Sequence, residues 1–219
     1  MALTPEDLDH AGEMVAAVYT QVEAEMLDYL ARRMLDDNGL QDVPVQMVSG
    51  TLSDHYDPSK RVVRLSEGVY GSESLSAMAI ACHECGHAVQ HARSYMPMNV
   101  RSALVPVANI GSSLWIWLLL IGMALGMMQL AWAGIVLFAF AVLFHLVTLP
   151  VEFNASRRGL AYVQGGGGSQ VNVSYALAQP GSQQATGAKT VLTAAALTYV
   201  AAALTSVMQL VYFIGLVRD

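Results

Sequence analysis

His83-Glu84-Cys85-Gly86-His87 carries the clearest chemistry in this chain. Residues four apart lie on one face of a helix. Two imidazoles placed that way can share one Zn²⁺ ion, with the intervening glutamate in reach of a water bound to it. The flanking stretches, Ser74 to Cys82 and Ala88 to Ala92, are mostly small and apolar, so the motif is expected on a helix with a buried face. The plain alternative is a surface helix that happens to carry two histidines; the apolar surroundings favour an active-site helix. A zinc ion held there lowers the pKa of its water from 15.7 towards about 7. Glu84 is then expected to act as general base, taking the proton and passing it to a leaving amine.

A catalytic zinc takes three protein ligands and keeps a fourth position open, so a third ligand must come from elsewhere. Hydropathy narrows the choice. The 219 residues are 54% apolar and 13% charged, with a mean hydropathy of +0.44, whereas soluble domains carry about 25% charged residues. No Asp, Glu, Lys or Arg occurs between Arg101 and Glu152. At about 20 residues per crossing, that stretch suffices for two membrane helices, and a second uncharged stretch, Thr190 to Val217, suffices for one more. The composition is that of an integral membrane protein. Two crossings return the chain to the side of the motif, and the first acid after the return is Glu152. Glu152 is therefore assigned as third ligand, against its simpler role as an acid favoured near a helix N-terminus by the macrodipole.

The elements around these residues are readable in outline. Thr4-Pro5-Glu6-Asp7 has the form of a helix start, and a long amphipathic helix, in one piece or two, is expected to run from it to about Asp37, ended by Asn38-Gly39. Val43 to Ser49 reads as a strand, Asp54 to Lys60 as a turn, and Arg61-Val62-Val63-Arg64-Leu65 as a second strand at a sheet edge. Ser66 to Ser74 is expected as a loop leading into the motif helix, which should end near Tyr95-Met96-Pro97. Membrane helices are expected over about Leu104–Met127, Ala131–Leu149 and Lys189–Leu216, with a separate helix opening at Pro150. The Ala-rich face of the last (Ala194, Ala195, Ala196, Ala201, Ala202, Ala203) suits close helix contact in lipid.

Other features are assigned by chemistry. Cys82 and Cys85 are read as small packing residues rather than a disulfide or zinc ligands. The net charge of −6, with no basic cluster, gives no reason to expect nucleic-acid binding. No signal peptide is visible in Met1 to Asp37. Gly165-Gly166-Gly167-Gly168-Ser169 has the form of an engineered flexible linker. The polar segment after it, residues 170–186, reads either as a replaced loop or as a peptide tethered near the active site, where a short tether gives effective concentrations of the order of mM.

His83-Glu84-Cys85-Gly86-His87 with His91, followed beyond a hydrophobic hairpin by Leu149-Pro150-Val151-Glu152-Phe153-Asn154-Ala155-Ser156-Arg157-Arg158, resembles the YugP-like membrane zinc metallopeptidases of bacteria. More remotely it is similar to HtpX-type and CAAX-processing membrane proteases. Asp54-His55-Tyr56-Asp57-Pro58, Leu65-Ser66 and Arg101 to Asn109 match the same pattern, and the likeness covers about Leu35 to Leu160 and Gly187 to Leu204. It implies a mainly α integral membrane protein: a small zincin-like β-sheet and the H-E-x-x-H helix packed on three transmembrane helices. The ligand set would be gluzincin-like, one Zn²⁺ held by His83, His87 and Glu152. In the remote relatives an Asp follows the third ligand by four residues; here that position is Ser156. Members usually begin with a membrane helix, which this chain is expected to lack. By the same resemblance, Arg61 to Leu65 would be the edge that binds substrate backbone, as an extended peptide adds to a sheet edge; a merely charge-capped edge is the alternative.

The expected organisation is a catalytic region over 1–100, a transmembrane hairpin over 101–150, a third-ligand helix over 151–163, a linker or loop over 164–186 and a transmembrane helix over 187–219. An oxyanion donor is also expected, with Arg157, Tyr199 and His55 as candidates. His91 is read as a supporting or structural residue, and His145 as the donor or acceptor of a buried helix–helix hydrogen bond. Of the eleven Lys and Arg residues, this topology leaves only Arg218 opposite the active-site face, which puts that face in the cytoplasm of a bacterial inner membrane. The function expected is a zinc endopeptidase acting on peptide or membrane-protein substrates beside the bilayer. Its rival is a catalytically silent, zinc-stabilised scaffold that binds partners. A transporter would carry charges within its spans, and these stretches carry none.

Overall fold

The computed structural model describes residues 30–72, 74–164 and 183–218. The helix start expected at Thr4 and the glycine-rich segment with most of the peptide after it lie outside these residues. The described elements are α1 (residues 30–37), β1 (Val45–Val48), β2 (His55–Asp57), β3 (Val62–Ser66), α2 (Glu67–Tyr70), α3 (Leu75–Ala92), α4 (Met96–Ala124), α5 (Met128–Val163) and α6 (Gln183–Arg218). They divide into two units, Met1–Val89 with Arg157–Leu192, and Gln90–Ser156 with Thr193–Asp219.

In the first unit α1 ends as Asn38-Gly39 predicts. Gly39 takes φ +76°, a left-handed conformation that glycine adopts without a Cβ penalty. The amides of Gly39 and Leu40 turn back to the carbonyls of Asp36 and Leu35 at 3.0 and 2.9 Å, the pairing of a Schellman C-cap. Arg32 then holds the outgoing loop: its guanidinium donates to Asp36 Oδ1 and to the carbonyls of Leu40 and Val43.

The sheet that follows corrects the strand expectations. Its order is β1-β3-β2, with β1 parallel and β2 antiparallel to β3. The segment Arg61-Val62-Val63-Arg64-Leu65, expected at an edge, thus supplies the central strand. Val63 pairs with Val45 on one side and Tyr56 on the other, so its backbone is not open to an incoming peptide. The cause is β2, a strand within a segment rich in turn residues. Asp57 both ends that strand and caps the next turn, accepting from the amides of Ser59 and Lys60 at 2.9 and 3.0 Å. A second aspartate, Asp54, closes the other end of the hairpin on the amide and hydroxyl of Ser66. Ser66 leads directly into the short α2, where a loop was expected. Val62, Val63, Leu65 and Ser66 are all buried, as suits a central strand covered on both faces.

In the second unit α4 begins at Met96, earlier than expected, with Pro97 in its first turn and Pro106 inside it. The turn to α5 uses Gly126 at φ +66°. Close approach of α4 and α5 depends on absent side chains: a Cβ on Gly122 would lie 2.4 Å from the amide nitrogen of Ala131, and one on Gly134 2.6 Å from the carbonyl of Trp115. Pro150 does not open a new helix; α5 is continuous from Met128 to Val163 with Pro150 inside it. On α6 only Ala196 and Ala203 of the six alanines singled out are buried. They lie two turns apart on one face, and the other four point outward. His145 joins α5 to α6 as expected, its Nδ1 3.1 Å from Ser206 Oγ. Among the described residues three helices, α4, α5 and α6, are long and apolar enough to cross a membrane.

Candidate metal centre

Helix α3 carries the motif. Its first turn is capped by Ser74, whose hydroxyl accepts from the amide of Ala77 at 3.1 Å, as an N-cap serine does. From Ala77 to Gln90 only Ile80 and His83 are not fully buried. A helix enclosed on nearly all sides belongs to a protein interior, which decides against a surface helix. The cysteines pack as expected. Cys82 is free, and burial pushes its thiol pKa up to about 12, so it remains an uncharged packing group. Cys85 Sγ lies 3.6 Å from the carbonyl of Ala31.

The rings of His83 and His87 meet edge to face, 4.7 Å between centroids at 86°. One ligand atom from each of His83, His87 and Glu152 can be chosen so that all lie within 4.8 Å of one another. Tetrahedral coordination with bonds of about 2.0–2.1 Å requires ligand atoms about 3.3 Å apart, a distance that side-chain rotation closes. His87 is 8% and Glu152 3% exposed, and Glu152 Oε2 is sealed from solvent. A carboxylate so enclosed is costly without a cation or donor beside it. Two imidazoles and one carboxylate are the ligand set of a catalytic zinc with one open position, so these residues fit the metal. Glu84, on the same helix, is also buried.

Two contacts between α3 and α5 were not foreseen. At Gly159 the backbones meet: a Cβ there would lie 2.8 Å from the amide nitrogen of His83 and 2.9 Å from the carbonyl carbon of Cys82. Gln90 is fully buried, and its Nε2 donates to the carbonyl of Val151 at 2.8 Å and to Asn154 Oδ1 at 3.0 Å. A polar residue one turn past His87 on an apolar helix was the available signal for Gln90; a lone glycine gave none for Gly159.

None of the other candidates is part of this group of three. His55 is exposed on β2, with Nδ1 2.6 Å from the carbonyl of Ser53 and Nε2 3.4 Å from the guanidinium of Arg64. Arg157 is exposed; five residues beyond Glu152, it is turned about 140° from it around α5. Tyr199 is exposed on α6, and His91 is half-buried in the last turn of α3.

Comparison with known proteins agrees with this geometry. The family model described as "Putative neutral zinc metallopeptidase" matches residues 15–218. The protein named "Putative membrane protease YugP" of Bacillus subtilis (strain 168) is 50% identical over 184 residues, covering 84% of this chain and 77% of that one. No solved structure matches. With the family pattern running across nearly its whole length and a relative of that family 50% identical over most of it, the chain belongs to the neutral zinc metallopeptidase family.

Proposed function

We propose that this protein is a membrane-bound zinc endopeptidase that hydrolyses peptide or membrane-protein substrates beside the bilayer surface, with its active site on the cytoplasmic side. The observation that carries the proposal is the convergence of His83, His87 and Glu152 from two helices far apart in sequence. Zinc, when bound, polarises a carbonyl and makes water acidic enough to yield a nucleophile near neutral pH. His83 and His87 would hold the metal from one helix face, and Glu152 would supply the third ligand and a compensating negative charge. Glu84 accepts the proton of the attacking water and returns it to the departing amine. The buried setting of α3 excludes bulk water, which strengthens each of these electrostatic interactions. The cytoplasmic orientation is supported by the placement of the Lys and Arg residues, all but Arg218 of which fall on the active-site side of the proposed topology.

Glu84→Gln tests the reaction. Purified in detergent and loaded with zinc, the variant should keep one zinc per chain and lose about 10²–10⁴-fold in peptide cleavage, followed by mass spectrometry of a peptide library. Wild-type protein that binds stoichiometric zinc and cleaves nothing would instead be a zinc-stabilised scaffold, and the proposal would fall.

A further inference from the structure

We infer that Gln90 is a positioning residue for the metal centre: its carboxamide fixes the stretch of α5 that presents Glu152 to His83 and His87. The inference rests on Glu152 being a zinc ligand, as proposed above. Gln90 lies one helical turn after His87, on the same face of α3, and none of its side chain reaches solvent. An amide nitrogen has two hydrogens to donate. Both go to α5, one to the carbonyl of Val151 and one to Asn154 Oδ1. These two residues bracket Glu152, one before it and two after.

Local chemistry explains why α5 needs this hold. Pro150 lies inside the helix, two residues before Glu152. A proline has no amide hydrogen to give, and its ring crowds the carbonyl four residues earlier, which loosens the helix at that point. The preceding turn also carries a side-chain contact to the backbone, Thr148 Oγ1 donating to the carbonyl of Phe144 at 2.8 Å, a contact that often bends helices. A ligand carried just past a weakened turn is poorly fixed by its own helix. A metal site tolerates about 0.5 Å of misplacement. Gln90 supplies a fixed point outside α5 for the turn that carries Glu152.

The test uses the full chain in detergent, with Gln90→Met, which keeps the volume but cannot donate, and Gln90→Asn, which keeps an amide one methylene short. Zinc affinity is measured by chelator competition, the Co²⁺-loaded protein by visible absorption, and the metal-free protein by thermal melting. Both variants should bind zinc about 10–100-fold more weakly, the cost typical of losing a group that orients a metal ligand, and the cobalt bands should change in shape and intensity. Glu152→Ala is measured alongside. Unchanged affinity and spectrum in both Gln90 variants, with binding weakened in Glu152→Ala, would overturn the role of Gln90 alone. So would a lower melting temperature with the cobalt spectrum unmoved, the sign of a purely structural residue. If Glu152→Ala binds zinc as the wild type does, the assignment of Glu152 falls and this inference with it.

Discussion

Replacing Gly159 by alanine should loosen the crossing of α3 and α5 beside His83. The added Cβ would stand 2.8 Å from the amide nitrogen of His83, and 2.9 and 3.1 Å from the carbonyl carbon and oxygen of Cys82, whereas ordinary contact begins at 3.4 Å. The obstacles are backbone atoms, which no rotamer change removes, so α5 must withdraw from α3 by about 0.6 Å, the shortfall in the closest contact. Overpacking of this kind costs about 1–3 kcal/mol, which for a chain of this length is a drop of roughly 2–12 °C in melting temperature. Activity should suffer more than stability. His83 is the residue against which α5 presses, Glu152 lies two turns earlier on the same helix, and a misplacement of about 1 Å can reduce a rate by about 10²-fold. The control is Gly187→Ala on α6, where nothing lies within 4 Å of the added Cβ; helix propensity alone makes that change neutral or stabilising by up to about 1 kcal/mol. Thermal melting and zinc competition on both variants decide the matter. A Gly159→Ala protein with wild-type melting temperature and zinc affinity would refute the close crossing of α3 and α5.

Two further outcomes follow from the first unit. Arg32→Leu should destabilise the protein by about 1–3 kcal/mol, because the carbonyls of Leu40 and Val43 lose their guanidinium donor; chemical denaturation measures it, and zinc affinity of the folded variant should be unchanged. Asp57 gives an acid dependence. Its carboxyl is held below the usual carboxylate range, first by the Lys60 amide, then by Arg64 and the Ser59 amide. A group whose pKa is depressed on folding contributes stability that is complete above its unfolded value, about 3.9, and lost as pH falls through the lower folded value. Asp57→Asn should therefore flatten the acid limb of a stability profile below about pH 4 and leave neutral-pH metal binding alone; an unchanged acid limb would count against the turn's role.

Much of the candidate site was legible because its chemistry is local or topological. His83 and His87 are linked by helical spacing alone. Glu152 is linked to them by counting membrane crossings, a count that works because lipid excludes charge so strongly. The sheet was less legible. Arg61 to Leu65 reads as a strand from its own residues, but whether a strand is central or at an edge depends on its neighbours. Here the neighbour β2 is three residues long and embedded in turn chemistry, with Asp57 serving strand end, turn and ion pair with Arg64 at once. Pro150 misleads for a related reason. Proline usually marks a helix start, but a helix enclosed by protein and lipid has few alternatives to continuing, since an open backbone in lipid finds no water to bond. Gly159 and Gln90 could not be placed without knowing that α3 and α5 touch.

The length of α5 sets where Glu152 would stand relative to a membrane. The helix has 36 residues, about 54 Å at 1.5 Å per residue, whereas the hydrocarbon core is about 30 Å thick. Starting at the turn around Gly126, the first 20 or so residues of α5 are enough to cross that core. Glu152 stands 24 residues after Met128, about 36 Å along the axis, so even a tilt of about 20° brings it to the headgroup level rather than the bilayer interior. The sequence agrees independently: Glu152 is the first charged residue after Arg101, and Arg157 and Arg158 follow within two turns. The charge-free run therefore ends where the helix arithmetic ends the hydrocarbon. A carboxylate carried to the end of the hydrocarbon in this way supports the proposal of a peptidase working at the membrane surface.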